Sequence, residues 1–180
     1  MLARKAQNSE KNAVISFYED ICRELNGARY TPYWEVGVYP TYEELEKDIE
    51  HGRMYIGFEN SEIACAAVIS IGEDPIYADH EWNLRTDDQK IGIIHLLAVR
   101  SAYRGKGTSG EFLIYLLVQM RMMGLEVCHL DALGDNLPAV RFYRRFGFET
   151  SGISIVHYED LGDVEVYMFE YDLKRISINS

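Results

Sequence analysis

The residues best suited to chemistry are Arg104-Gly105-Lys106-Gly107. This basic, glycine-rich turn follows an apolar, β-branched run (Ile93, Ile94, Leu96, Leu97, Val99) and precedes a helical pattern of Phe112, Leu113, Leu116, Leu117 and Met120. A buried strand, a glycine turn and a helix start together make an anion site. The first N–H groups of a helix have no intrahelical partner and carry partial positive charge, and glycines let a phosphate approach the backbone. The spacing excludes two common phosphate binders, because neither Gly-x-x-x-x-Gly-Lys-Ser/Thr nor a strand-bound Gly-x-Gly-x-x-Gly occurs here. Thr108 and Glu111 have the spacing of a capping box, whose side chains would compete with a phosphate for the same donors.

The elements that must position this turn can be read along the chain. Leu2–Lys5 reads as an edge strand. Asn8-Ser9 then caps a helix over Glu10–Leu25 that carries Val14, Phe17, Ile21 and Leu25 on one face and ends at Asn26-Gly27. A loop crowded with Tyr30, Tyr33, Trp34, Tyr39 and Tyr42 fills core or, beside Glu35 or Glu43, walls an ammonium group. A second helix runs from Thr41 to His51, with Thr41 and Glu44 as its capping box. Met54–Phe58 and Ile63–Ile71 read as a hairpin. Residues 72–90, polar and turn-rich, read as a mobile surface loop centred on Asp79, His80, Glu81 and Trp82. Val127–Ala132 is the next strand, which gives a βαβ unit and a parallel pair. Asn136 and Pro138 open a short helix that Gly147 ends, and strands over Ser154–Tyr158 and Val164–Asp172 close the chain.

A chain of 180 residues fits one domain, residues 1–180, with a sizeable core. Its net charge of −11 argues against nucleic-acid binding, which depends on neutralising phosphates, and sets the Arg104–Lys106 turn apart as a basic island. The acidic surface suits solubility and would also steer a cationic amine. The longest apolar stretch, near Phe112–Val118, is too short for a membrane span, and the first residues lack the apolar core of a signal peptide. No membrane partner and a cytoplasmic location are expected. Cys22, Cys65 and Cys128 are odd in number and set in apolar surroundings, so they read as reduced core residues; with the histidines they show no ligand spacing, and no metal is expected.

Leu97-Ala98-Val99 followed by Arg104-Gly105-Lys106-Gly107-Thr108-Ser109 resembles the acyl-CoA signature of the GCN5-related N-acetyltransferases, Arg/Gln-x-x-Gly-x-Gly/Ala behind a strand ending in Leu-Ala-Val. Ser109 stands where that family has Gly or Ala. Asn136 to Phe148, NLPAVRFYRRFGF, resembles the second family signature, an Asn, a helix with Tyr, then Gly-Phe. The resemblance is specific over residues 91–148. It implies an α/β (α+β) fold: a mixed, mostly antiparallel twisted sheet flanked by helices, with splayed central parallel strands. It also implies acetyl-CoA as co-substrate and direct attack of a primary amine, from a small molecule or a peptide, on the thioester. For cofactor contact it implies Leu97 and Val99 through the main chain, then Arg104, Gly105, Lys106, Gly107, Ser109, Gly110, Asn136 and Tyr143. A homodimer stays open.

Three demands of that reaction assign further roles. An amine near pKa 10.4 must lose a proton, the oxyanion needs a donor, and the departing thiolate needs a proton. Tyr143 matches the family's helix tyrosine and is the candidate acid, although Ala139, Phe142, Tyr143 and Phe146 share a helix face as core residues would. His95 is the candidate base. It precedes Leu97 by two residues, where the similar arylalkylamine acetyltransferases carry a histidine, and strand alternation groups Ile93, His95 and Leu97 on one face. Glu81 is the alternate base. His129 and His157 have no supporting motif. The competing reading is a non-catalytic acyl-CoA-binding or protein-interaction domain that keeps the fold.

Overall fold

The computed structural model describes residues 1–177. Among the described residues seven strands, β1 (Leu2–Lys5), β2 (Met54–Glu59), β3 (Glu62–Ile71), β4 (Ile91–Val99), β5 (Val127–Leu133), β6 (Glu149–Tyr158) and β7 (Gly162–Asp172), are hydrogen-bonded in the order β1-β2-β3-β4-β5-β7-β6. The pairs β1–β2, β2–β3, β5–β7 and β6–β7 are antiparallel, whereas β4 and β5 run parallel. The described chain divides into two compact units, residues 1–69 with 95–116 and residues 70–94 with those from 117 onward.

In the first unit, β1 (Leu2–Lys5), β2 (Met54–Glu59) and β3 (Glu62–Ile71) form a meander up to its bound at residue 69. α1 (Lys11–Leu25) follows a short 3-10 turn at Asn8–Glu10, and α2 is Tyr42–Glu50. The Thr41–Glu44 capping box forms as the spacing predicts, with the Thr41 side chain accepting from Glu44 N–H and the Glu44 carboxylate accepting from Thr41 N–H. Val14, Phe17, Tyr18 and Ile21 of α1 pack with Leu45 and Ile49 of α2 and with Met54, Ile56, Ala66, Leu96 and Ala98 of the strands. Burying each large aliphatic or aromatic side chain contributes about 1.5–3 kcal/mol, so this face holds the unit together.

In the second unit, β5 pairs with β7 (Gly162–Asp172), which pairs in turn with β6 (Glu149–Tyr158). The strand expected over Ser154–Tyr158 thus begins five residues earlier. Glu149-Thr150-Ser151-Gly152 has no apolar alternation, and the β7 ladder makes it a strand, with a bulge between Thr150 and Gly152. Ile91, Ile93, Val156, Val166, Met168 and Tyr77 form the buried cluster of this unit. α4 (Leu137–Arg145) starts as predicted, with Asn136 Oδ1 accepting from Ala139 N–H.

α3 (Thr108–Met122) contributes to both units. Its first helical residue is Thr108 itself, and Glu111 N–H donates to the Gly107 carbonyl. The expected capping box is displaced: Thr108 lies one position too far in to cap, and the Glu111 carboxylate turns to the N-terminal ammonium at 3.5 Å. No described helix is long and apolar enough to cross a membrane.

Candidate active site

In the first unit the sequence from β4 to α3 builds a turn with open backbone. Gly105 and Gly107 sit at φ +73° and +94°, a left-handed region that side chains rarely adopt, and a Cβ on either would meet nothing within 4 Å. Glycine there serves backbone conformation and leaves room above the first N–H groups of a fifteen-residue helix. Ser109 and Gly110 lie in the first turn of that helix. Lys106 is exposed and makes no ion pair among the described residues. Arg104 behaves differently. Its Nε donates to the Val99 carbonyl at 2.8 Å and its guanidinium reaches Glu24 at 3.5 Å, so it braces the turn onto the end of β4 and α1.

β4 is irregular where the family signature begins. Leu96 has φ +54°, and its carbonyl accepts from the fully buried Tyr18 hydroxyl at 2.9 Å. Regular alternation would turn residue 96 the same way as Gly92, whose Cβ would run into Met120 and Leu125, the former on α3. Leu96 and Ala98 instead pack with α1 and α2. The strand changes parity at Leu96, so the expected common face of Ile93, His95 and Leu97 does not persist through Leu97. His95 is half-buried and lies close enough to Asp48 of α2 for its charge to lower that carboxyl. Burial is the larger influence and holds Asp48 above the usual carboxylate range, with Arg53 Nε 2.8 Å away as the stronger opposing charge. An imidazole beside a partly buried carboxylate is chemically able to take a proton.

In the second unit, Tyr143 is buried among Phe142, Phe148 and Phe169, with ring centroids 5.4–5.7 Å apart. Burial, then the charge of Asp131, pushes its phenol well above the ordinary value. Tyr143 is therefore a persistent O–H donor and a poor source of a fully transferred proton. The thiols are protonated for the same reason: burial pushes Cys65 up to about 12 and Cys128 further, which leaves no thiolate nucleophile there.

Residues 72–90 are firmly tied, contrary to the mobile loop expected. Glu81 is exposed, but its neighbours turn inward. His80 bridges Ser154 Oγ at 2.8 Å and Ser151 Oγ at 2.7 Å. The Trp82 ring stacks on His129 at 3.6 Å and 9°. Asn83 Nδ2 and Leu84 N–H both donate to the buried Glu170 carboxylate at 2.9 Å. His129 Nδ1–H donates to Glu73 at 2.9 Å, while His129 Nε2 and Trp82 Nε1 are buried without a partner among the described residues. Asp131 accepts from Tyr77 at 2.5 Å and Tyr158 at 2.9 Å. Sequence reasoning passed over this network. One signal was available, since strand alternation places His129 and Asp131 on the same face of β5.

Comparison with known proteins adds to this geometry. The model of the Acetyltransferase (GNAT) family matches residues 15–148, well over half the chain. Mycothiol acetyltransferase of Actinosynnema mirum is 34% identical over 77 residues, 43% of this chain, and the match spans only 25% of that relative's length. Among solved structures, a GNAT-family acetyltransferase from Streptococcus agalactiae has a TM-score of 0.78 at 19% identity, covering 95% of this chain and 94% of that one. An acetyltransferase structure from Salmonella typhimurium, solved with its cofactor acetyl-CoA, has a TM-score of 0.69 at 15% identity, covering 100% and 98%. Likeness at such identities speaks to the fold alone.

Proposed function

This chain belongs to the acetyltransferase (GNAT) family, and we propose that it moves an acetyl group from acetyl-CoA to a primary amine by direct attack on the thioester. The observation that carries the proposal is the Arg104–Gly110 turn, where two left-handed glycines leave the start of α3 open to a phosphate. The groups assigned to hold the cofactor are the main chain of Gly105, Gly107, Ser109 and Gly110 and the Lys106 ammonium. Leu97 and Val99 contribute through their main chains, and Asn136 through its cap. Arg104 acts through the backbone it braces. These residues fit a pyrophosphate, because the first N–H groups of a helix lack intrahelical partners and the exposed Lys106 lies just before them. Acetyl-CoA supplies the activated acyl group.

The remaining work falls to side chains of this protein. At pH 7 a primary amine is neutral about one part in two thousand, a penalty of roughly 4.6 kcal/mol that a base must help overcome. His95 is the assigned base, because it is half-buried beside Asp48, whereas Glu81 points to solvent from a fixed segment. Tyr143 keeps its proton and stabilises the departing sulfur by hydrogen bonding. The acceptor is a small-molecule or peptide amine. A non-catalytic acyl-CoA-binding domain is the second reading, favoured by the burial of Tyr143 among phenylalanines.

A thermal-unfolding titration with acetyl-CoA followed by a thiol-release screen over primary amines separates the readings. Cofactor at a hundred times its dissociation constant should add about 2.7 kcal/mol of stability. Stabilisation with thiol release supports the enzyme, and stabilisation without release supports the binding domain. If the unfolding temperature does not move, the turn is a structural corner and both readings are wrong.

A further inference from the structure

We propose that Tyr18 is a positioning residue: its hydroxyl locks Leu96 in the left-handed conformation that breaks β4 and presents the Leu97 main-chain N–H to the acyl oxygen. The proposal deepens the acetyltransferase reading and rests on it.

Among the described residues, four other than glycine have positive φ: Tyr33, Asn60, Ser61 and Leu96. Tyr33 lies in a loop, and Asn60 and Ser61 form the turn between β2 and β3, where such angles are ordinary. Leu96 alone lies inside a strand. Leucine has no polar side chain with which to stabilise that conformation, as Asn or Asp can, so the surroundings must hold it. The structure supplies one strong contact. Tyr18 donates to the Leu96 carbonyl at 2.9 Å, and the Met54 sulfur, at 3.9 Å, is its other hydrogen-bond contact among the described residues. The Tyr18 ring is fully buried and wedged edge-on against Phe17 at 5.2 Å and Trp34 at 6.4 Å, which fixes where the hydroxyl points. Burial also keeps its proton in place, so the donor persists across ordinary pH.

The consequence for the reaction lies one residue on. A left-handed residue swings the next peptide unit out of the regular ladder, as in a bulge, and here it shifts the side-chain parity of the strand. The next N–H is that of Leu97, one of the two β4 residues assigned to the cofactor through the main chain. Tyr18 touches no substrate; it acts through Leu96, and nothing else in the proposed mechanism requires its hydroxyl.

The test combines Tyr18→Phe, Leu96→Gly and the double variant. Glycine takes positive φ freely, so at position 96 it should make the lock unnecessary. Two readouts are needed: amide hydrogen exchange over residues 94–98 without ligand, and kcat and KM for acetyl-CoA by thiol release, below the unfolding temperature of each variant. Tyr18→Phe should speed exchange over 94–98 about tenfold and lower kcat about tenfold, with KM changed less than about twofold. In the Leu96→Gly background the same substitution should change kcat less than about threefold. Unchanged exchange in Tyr18→Phe, or the full loss of kcat persisting in the double variant, overturns the proposal. If Tyr18→Phe does not fold alone, a fluorotyrosine at position 18, which changes the donor strength of the hydroxyl at nearly constant size, should still change exchange over 94–98, and unchanged exchange there also overturns the proposal. A wild-type protein that releases thiol to no amine removes the acetyltransferase reading instead, and the exchange comparison still decides whether Tyr18 holds Leu96.

Discussion

The Arg104–Gly110 turn and the segment from Glu73 to Leu84 are both irregular connections next to β4, yet they use their polar groups in opposite ways. The turn leaves donors open: Gly105 and Gly107 have free space above them and Lys106 has no acidic partner among the described residues. In the other segment most of the polar side chains are engaged, with His80 on two serines, Asn83 on Glu170 and Glu73 on His129. A region built to receive a ligand keeps hydrogen-bonding capacity in reserve, whereas a region built to hold its own shape uses it internally. That contrast, more than the polar composition the two share, separates the candidate binding element from a strap.

The largest effect is expected from Glu170→Ala, which leaves Asn83 and Leu84 N–H without their buried acceptor. Hydrogen bonds to a charged group contribute about 1.5–3 kcal/mol each, so for the two a loss of about 3–6 kcal/mol is expected in chemical denaturation. Trypsin cleavage after the exposed Arg85 should accelerate in parallel. If neither changes, the strap is not held by its side chains and the contrast collapses. Gly107→Glu attacks the other side of the comparison. A carboxylate on a left-handed backbone at the mouth of the turn should abolish the stabilisation of about 2.7 kcal/mol that excess acetyl-CoA gives the wild type.

Tyr143→Phe sharpens the comparison by asking whether a buried hydroxyl in the second unit contributes to chemistry at all. A fall in kcat of about 30-fold, or roughly 2 kcal/mol, is expected with cofactor affinity nearly unchanged. Equal turnover would leave Tyr143 a packing residue. The smallest effect concerns His80, whose pKa is lowered chiefly by burial. Its unfolded form binds the proton more readily, so stability should fall as pH drops from the ordinary histidine range through the lower folded value. His80→Gln should flatten that slope, as read from denaturation midpoints between about pH 7 and 5.

What was legible in the sequence follows the same division. The Thr41–Glu44 box, the Asn136 cap and the Gly105–Gly107 turn depend on residues within a few positions of one another, so local pattern reveals them. Leu96 gives no such sign. It stands in an apolar run where any strand would have a leucine, and its angle depends on a tyrosine 78 positions away. Glu170 was equally hidden, since it reads as an ordinary polar residue of an alternating strand until residues 83 and 84 arrive from 87 and 86 positions upstream. The early start of β6 comes from its partner strand, not from its own composition.

The stacking of Trp82 on His129 also bears on how the protein can be watched. The chain has two tryptophans, Trp34 in the first unit and Trp82 in the second. An indole face to face with an imidazole emits differently from one packed against the Tyr18 ring, so a Trp34→Phe variant gives an optical probe of the second unit alone, and Trp82→Phe one of the first. Coincident denaturation curves from the two would identify one cooperative folding unit, and separated curves two.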